Sequence, residues 1–299
     1  MFRIVFRNTV CGAALLAVAG CGTQVGQDAS RDFNAALQQI GSGSLFQDGY
    51  LDNEADVCLA QRREMAENGS FFDPEIVQST LLGAASGGLI AALTGESVLA
   101  GAAIGAGLGL AAGYLNKLQS EGLNGTQIAS RARGEVASDN RRIDDLIQSF
   151  DAVSDCRKRE AAAVQTAYNN RDIGRDEALA QMAEVRGRFS EDRTKFKEIA
   201  EQISDKSENN AAIYNDIAAD SGGNALVVQE YSRGKRSAQV ARTPAVKQAG
   251  TEEGSLAADE QEVAALQREC LTNVKKRDDC FEKVAEAEEV EGEIELDLS

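Results

Sequence analysis

The stretch that decides the fold is MAEVRGRFSEDRTKFKEIAEQISDKSENNAAIYNDI, residues 182–217. One row of residues recurs along it at intervals of seven: Met182, Phe189, Phe196, Ile203, Asn210 and Ile217. A second row holds Val185, Ile199 and Ile213, and is interrupted by Asp192 and Lys206. Two rows with this spacing are typical of helices that pack along a shared seam. The stretch therefore predicts a long helix with one buried face.

The residues just before this stretch are predicted to form the partner helix. Its apolar residues recur three and four positions apart: Ile143, Leu146, Ile147, Phe150, Val153, Val164 and Tyr168. Residues 169–174 (NNRDIG) interrupt the pattern, and Arg175 starts the next helix. We therefore predict an all-α protein with an antiparallel coiled-coil hairpin over residues 124–221. Each arm would be about 60–65 Å long at 1.5 Å per residue.

From its composition, the rest of the chain is predicted to have no thick hydrophobic core and to be partly disordered. Aromatic residues make up 5%, Trp is absent and there are two prolines, which argues against a thick core. We predict the following segments: a flexible tether (21–53), a short helix (54–74), a linker (222–255), a C-terminal helix (256–290) and an acidic tail (291–299). The linker carries a cationic patch, which is either solvated or contacts a headgroup or partner: Arg233, Lys235, Arg236, Arg242 and Lys247.

Charge and histidine content exclude several classes of function. The net charge is −17, so nucleic acid and anionic headgroups would be repelled overall. The chain has no histidine, and with it lacks the commonest general base and the commonest metal ligand. We expect no catalytic residues, no metal, no cofactor and no nucleic-acid partner. We therefore expect that this protein is not an enzyme.

Residues 1–20 have the pattern of an export signal. Arg3 and Arg7 form a positive start, and residues 10–19 are an apolar stretch too short for a permanent membrane helix. The sequence Val18-Ala19-Gly20-Cys21 then resembles the lipobox of bacterial lipoproteins. That resemblance implies cleavage before Cys21 and acylation of this cysteine, with palmitate among the lipids. Because Gly22 follows, it also implies the outer membrane, with the chain mainly periplasmic. The alternative is a plain secretory leader.

Residues 75–117 are the most unusual part of the mature chain. Between Ser79 and Leu115 the only charge is Glu96, next to a turn signal. The two arms on either side of this turn would be about 22 Å and 28 Å long as helices. Glycines recur at a spacing of four, which puts them on one helix face: Gly83 and Gly87 in the first arm, and Gly101, Gly105, Gly109 and Gly113 in the second. Such a groove lets helices approach closely in lipid.

This glycine pattern is similar to that of the glycine-zipper two-transmembrane lipoproteins. The resemblance implies a membrane hairpin that packs with other copies, hence a homo-oligomer. Glu96 would then either line a pore or act as a charge at a helix start. The alternative is a buried Gly/Ala-rich hairpin inside a soluble oligomer.

Six cysteines are present, of which Cys11 would leave with the leader and Cys21 would carry lipid. The remaining four suggest two disulfides in an oxidising compartment. Our first pairing is Cys58–Cys156 with Cys270–Cys280. The second bond requires a turn between its cysteines, because ten positions of helix span about 15 Å and bridged Cα atoms lie within about 7 Å. In the alternative, both tail cysteines bond back to Cys58 and Cys156.

These features together predict a non-enzymatic lipoprotein that oligomerises through its glycine hairpin. It would be held to membrane lipid through acylated Cys21, and would brace or scaffold an envelope assembly with other envelope proteins as partners. The alternative is a pore-lining or secretion-machine component.

Overall fold

The computed structural model describes residues 44–46, 49–73, 109–229, 238–246 and 256–294. After a 3-10 turn, Ser44–Phe46, these residues form five helices: α1 Leu59–Ser70, α2 Gly109–Ser120, α3 Gly125–Asn169, α4 Arg175–Asp220 and α5 Glu260–Glu293. Two strands, β1 Asn224–Val228 and β2 Ala238–Pro244, form an antiparallel pair. The described protein is mostly helical, which confirms the predicted class. The small sheet was not predicted.

Helices α3, α4 and α5 form an up-down-up bundle. α3 begins with a reciprocal cap, in which Asn124 and Gln127 each accept from the other's backbone N–H. α4 returns antiparallel after the turn 170–174, and α5 runs parallel to α3. Polar contacts along α5 show this direction: Asn140 of α3 lies 3.0 Å from Glu269, and Asp151 of α3 lies 3.1 Å from Lys283.

The core of the bundle contains the two seven-residue rows. All of their apolar members are buried, together with Asn210 and Asp192. They pack in two apolar clusters, one of which includes a parallel stack of Phe150 on Phe196 with ring centroids 4.0 Å apart. The sequence prediction paired α3 with α4 alone, but α5 packs against both of them.

Helix α1 runs antiparallel to α3. The start of α1 is at Cys156 of α3, and its later residues reach Asp145 and Arg142. α2 packs against both α4 and the first part of α3, with Tyr114 beside Arg131 and Glu135 of α3. α1 therefore lies mainly on α3, and α2 mainly on α4.

The segment predicted as a linker, 222–255, contains both strands. α4 holds the outer edge of β1, because the Asn215 side chain bonds both the backbone N–H and the C=O of Leu226. The Tyr214 hydroxyl donates to the carbonyl of Asn224 at 2.8 Å. An amide side chain thus takes the place of a neighbouring strand. This arrangement depends on the fold and has no local sequence signal.

The predicted flexible tether also differs from the structure at its end. Tyr50 is fully buried against the bundle, and the residues after it continue directly into α1. At the other terminus, α5 continues to Glu293, three residues beyond the predicted end. The predicted signal peptide (1–20) and residues 75–108 of the predicted glycine hairpin lie outside the described residues. No helix in the described ranges combines the length and the apolarity that a membrane span requires.

Candidate functional site

The predicted site residues fall partly outside the described chain. Those outside it are the lipidation residue and four of the helix-packing glycines: Cys21, Gly83, Gly87, Gly101 and Gly105. Gly109 is the first residue of α2. Gly113 is exposed one turn later, and no described atom lies within 4 Å of the place where a Cβ would stand. α2 instead buries Ala111, Tyr114, Leu115 and Leu118 against the bundle.

The predicted bond between Cys58 and Cys156 is present. Cys58 directly precedes α1 and Cys156 lies in the middle of α3, with their Cα atoms 5.9 Å apart. The two residues are 98 positions apart in sequence. The bond therefore fixes the start of α1 on the side of the bundle.

The predicted Cys270–Cys280 bond is wrong, because both residues are buried free thiols. α5 is continuous between them, so the turn that this bond required is missing. Ten positions of helix place the two Cα atoms about 15 Å apart. The alternative pairing back to Cys58 and Cys156 is excluded by the bond between those two. Burial raises the pKa of Cys270 to about 12, which keeps its thiol protonated and unreactive.

A buried cluster of charges lies directly beside the disulfide. Its centre is Arg157 of α3, whose guanidinium is fully buried and holds both oxygens of Asp56 at 2.7 Å. The same guanidinium donates from Nε to Asp192 of α4 at 2.9 Å. Asp56 belongs to the turn before α1, so one side chain connects three separate parts of the chain. This two-pronged geometry is one that arginine, and not lysine, can provide.

A second arginine completes the cluster from α1. Arg62 donates to Asp56 at 3.0 Å, and its Nε lies 2.9 Å from an oxygen of Asp192. Tyr50 donates its hydroxyl to the same carboxylate at 2.9 Å, and the Arg62 guanidinium lies 3.8 Å from the centre of the Tyr50 ring. Burial, with the charge of Asp192 beside it, raises the pKa of Tyr50 well above its ordinary value. Tyr50 therefore remains a hydrogen-bond donor.

Two buried arginines thus face two buried aspartates, and partly exposed charges surround them. Glu160 contacts Arg157 at 3.0 Å and Arg188 at 2.8 Å, while Glu191 contacts Arg62 at 2.8 Å. Burial of this kind is tolerated only when each charge is paired. Although burial alone would raise the pKa of Asp56, its hydrogen bonds from Arg157 and from the Cys58 backbone hold this pKa well below its usual range. The cluster is therefore a charge-balanced connection between helices.

One part of this cluster superficially resembles a metal site. Ligand atoms of Asp56, Cys58 and Glu160 lie within 4.8 Å of one another. However, the sulfur of Cys58 is bonded to Cys156, and both carboxylates accept hydrogen bonds from Arg157. These donors are already in use, so the arrangement does not suit a cation.

A cavity of about 260 Å³ lies where α1 ends and α2 begins. Phe71, just after α1, and Ala111 and Tyr114 of α2 contribute to its wall. Phe71 is held there by cations, with Arg142 at 3.7 Å and Lys206 at 4.3 Å from the centre of its ring. The described residues on either side of segment 74–108, Phe71 and Ala111, therefore lie beside the same cavity.

Sequence reasoning found the disulfide but missed the charge cluster. Its four central members come from three distant parts of the chain, at positions 56 and 62, 157, and 192. The available signal was Asp192, a carboxylate in a row whose other members, apart from Lys206, are apolar. A charge at such a position requires a buried partner of opposite sign.

Comparison with known proteins identifies no relative. No known family, curated protein or solved structure matches this chain.

Proposed function

We propose that this chain is a non-enzymatic lipoprotein of the bacterial envelope, anchored in the outer membrane through acylated Cys21 and located mainly in the periplasm. In this proposal, residues 75–117 form a glycine-zipper hairpin that joins copies of the chain into a homo-oligomer. The disulfide-linked helical body would brace or scaffold an envelope assembly. The lipobox pattern at Val18–Cys21 and the glycine spacing support these assignments.

The observation that carries the proposal is that the described residues on either side of segment 74–108 lie beside one cavity. Phe71 and Ala111 line one cavity, so the two described ends that flank this segment lie close together. A segment with neighbouring ends suits a hairpin that projects from the body. Gly113 supports an outward-facing glycine groove, since it is exposed and no described atom lies within 4 Å of its Cβ position.

The body has the properties that a brace requires. α3 and α4 contain 45 and 46 residues, or roughly 67–69 Å of helix at 1.5 Å per residue. α5 packs along both, and the disulfide and the charge cluster attach α1. A three-helix cross-section resists bending better than a single helix pair would. A displacement at one end of the body would thus be transmitted to the other end.

The test replaces Gly105 and Gly109 with Leu in the full-length chain. The change keeps the segment apolar and raises its helix propensity, but fills the groove that close packing requires. We expect crosslinked oligomers to disappear while the protein still sediments with outer membranes, because the acyl chains remain. Crosslinking in intact cells, followed by fractionation, measures both.

A matched control replaces Ala102 and Ala106 with Leu. These residues have the same spacing of four but lie about 100° away around the helix. We expect this variant to assemble normally. If the glycine variant also assembles like the parent, the glycine groove is not the interface. If it becomes soluble in the periplasm, the hairpin is a buried element of a soluble oligomer.

A further inference from the structure

The cavity of about 260 Å³ lies between α2, α3 and α4, with Phe71 at one side. Part of its wall is apolar and buried, including Leu118 of α2 and Ile213 of α4. Arg131 and Glu135 of α3 also line it, and both side chains are about half exposed. The cavity therefore has an apolar interior and a charged side that faces solvent.

One buried polar atom in the wall lacks a partner. Asn209 of α4 lines the cavity and is only 8% exposed. Among the described residues, no group donates a hydrogen bond to its side-chain amide oxygen. The next residue, Asn210, is paired, because its amide donates to Asp139 at 3.3 Å. A buried acceptor without a donor lowers stability, so the Asn209 oxygen is suited to a donor supplied from outside the chain.

Cations outnumber carboxylates around this cavity. Arg131 bonds Glu135 at 3.1 Å, and Lys206 bonds Asp139 at 2.8 Å, so both carboxylates are already paired. Lys117 of α2 is a third, half-buried cation in the wall, and no carboxylate of the described residues forms a salt bridge with it. In a chain with a net charge of −17, a locally positive cavity favours a ligand with one anionic group.

The volume and the aromatic wall limit what can fit. An apolar cavity of about 150 Å³ accepts benzene, and cavities for drug-sized ligands begin at about 300 Å³. A volume of about 260 Å³ therefore suits a single ring with short polar groups. Phe71 and Tyr114 can contact such a ring, and a rigid ring loses less entropy on binding than a flexible chain does.

We propose that the cavity between α2, α3 and α4 binds a small aromatic carboxylate that carries a hydroxyl group. The ring lies against Leu118 and Ile213, the hydroxyl donates to the amide oxygen of Asn209, and the carboxylate pairs with Lys117. Binding is noncovalent and connects α2 to both long helices. The proposal concerns the described residues alone and does not depend on the envelope role.

Isothermal titration calorimetry of the full-length protein with three probes tests this proposal. 4-Hydroxybenzoate has the ring, the hydroxyl and the carboxylate, whereas benzoate lacks the hydroxyl and phenol lacks the carboxylate. We expect one molecule of 4-hydroxybenzoate to bind per chain. Its Kd should be at least tenfold lower than that of benzoate or phenol.

Two variants assign the polar contacts. In Asn209→Ala, 4-hydroxybenzoate and benzoate should bind within about twofold of each other, because the acceptor for the hydroxyl is gone. Lys117→Met should weaken both carboxylates by similar factors and leave phenol unchanged. The matched control is Lys197→Met, which removes an exposed lysine of α4 that pairs with Glu201 and does not line the cavity. We expect this control to bind all three probes like the parent.

Three outcomes would overturn the proposal. If none of the probes binds the full-length protein, the cavity is filled by water or by the chain itself. Equal affinities of the parent for 4-hydroxybenzoate and benzoate would show that Asn209 accepts no hydrogen bond from the ligand. Unchanged affinity of Lys117→Met for both carboxylates would show that the anionic group does not pair with this lysine.

Discussion

Arg157 illustrates how one residue can connect distant parts of this chain. Its side chain is completely buried and holds Asp56 and Asp192, which belong to the α1 segment and to α4. The disulfide beside it joins α1 to α3 covalently. At this scale charge pairing helps to specify which parts of the chain meet, and it makes stability depend on pH.

Acid should weaken the fold through Asp56. Its pKa is depressed in the folded protein, so its contribution to stability is present above the pKa of the unfolded chain, about 4, and is lost as the pH falls below that value. Burial raises the pKa of Asp192, so this carboxylate does not share in the loss. Urea unfolding between pH 6 and 2.5 should show a falling free energy of unfolding.

Asp56→Asn is the control for this acid effect. The variant should be about 3 kcal/mol less stable at pH 6, because it leaves Arg157 and Arg62 incompletely paired. Its stability should also change less with acid. An unchanged acid dependence in this variant would assign the effect to other carboxylates.

Gly125 should be intolerant of any side chain. A Cβ at this position would lie 2.2 Å from the carbonyl oxygen of Ala257 and 2.4 Å from that of Leu256, both of them backbone atoms. We expect Gly125→Ala to destabilise the protein by about 1–3 kcal/mol. Gly134→Ala is the matched control in the same helix, since nothing lies within 4 Å of its Cβ position.

Gly134→Ala should stabilise the protein by up to about 1 kcal/mol through helix propensity. Thermal or urea unfolding of both variants gives the comparison. Equal effects of the two substitutions would mean that the contact between α3 and residues 256–257 is not tight in solution.

At the scale of elements, a polar layer sets how the three long helices align. Asn273 of α5 donates to Asn140 of α3 at 2.9 Å and accepts from Ser207 of α4 at 2.7 Å. All three residues are buried. One polar position in an apolar seam can specify helix register. The layer therefore fixes the axial position of α5 along the α3–α4 pair.

Asn273→Leu should lower the free energy of unfolding by about 2 kcal/mol. It leaves the Ser207 hydroxyl and the side-chain amide oxygen of Asn140 without this partner. Adding Asn140→Leu and Ser207→Ala should recover part of that loss, since the polar groups left behind are then removed. Urea unfolding of the single and triple variants measures both effects. A triple variant that is much less stable than the single one would contradict this account of the layer.

At the scale of the whole molecule, the central prediction is that a lipid on Cys21 anchors the chain to a membrane. Cys21→Ser removes the thiol that the lipobox resemblance assigns to acylation. We expect the variant to accumulate as precursor or in the periplasmic fraction, because no acyl chain then holds it to the bilayer. Membrane fractionation followed by immunoblotting measures this. Unchanged sedimentation with outer membranes would contradict the lipobox interpretation.

The amino-acid sequence by itself determined the helical class and much of the core. The seven-residue row through Phe189 and Phe196 predicted buried positions, because the period of a helix is visible in the order of its residues. It also identified the Cys58–Cys156 pair among the possible bonds. Local patterns of this kind need no knowledge of distant contacts.

Only the tertiary structure decided the rest. α5 joins the core of α3 and α4, Asn215 supports the edge of β1, and Arg157 meets carboxylates far from it in sequence. It also kept Cys270 and Cys280 apart, since α5 continues straight where a bond required a turn. Contacts between residues distant in sequence depend on how whole helices pack against one another. The spacing of residues along the chain does not reveal that packing.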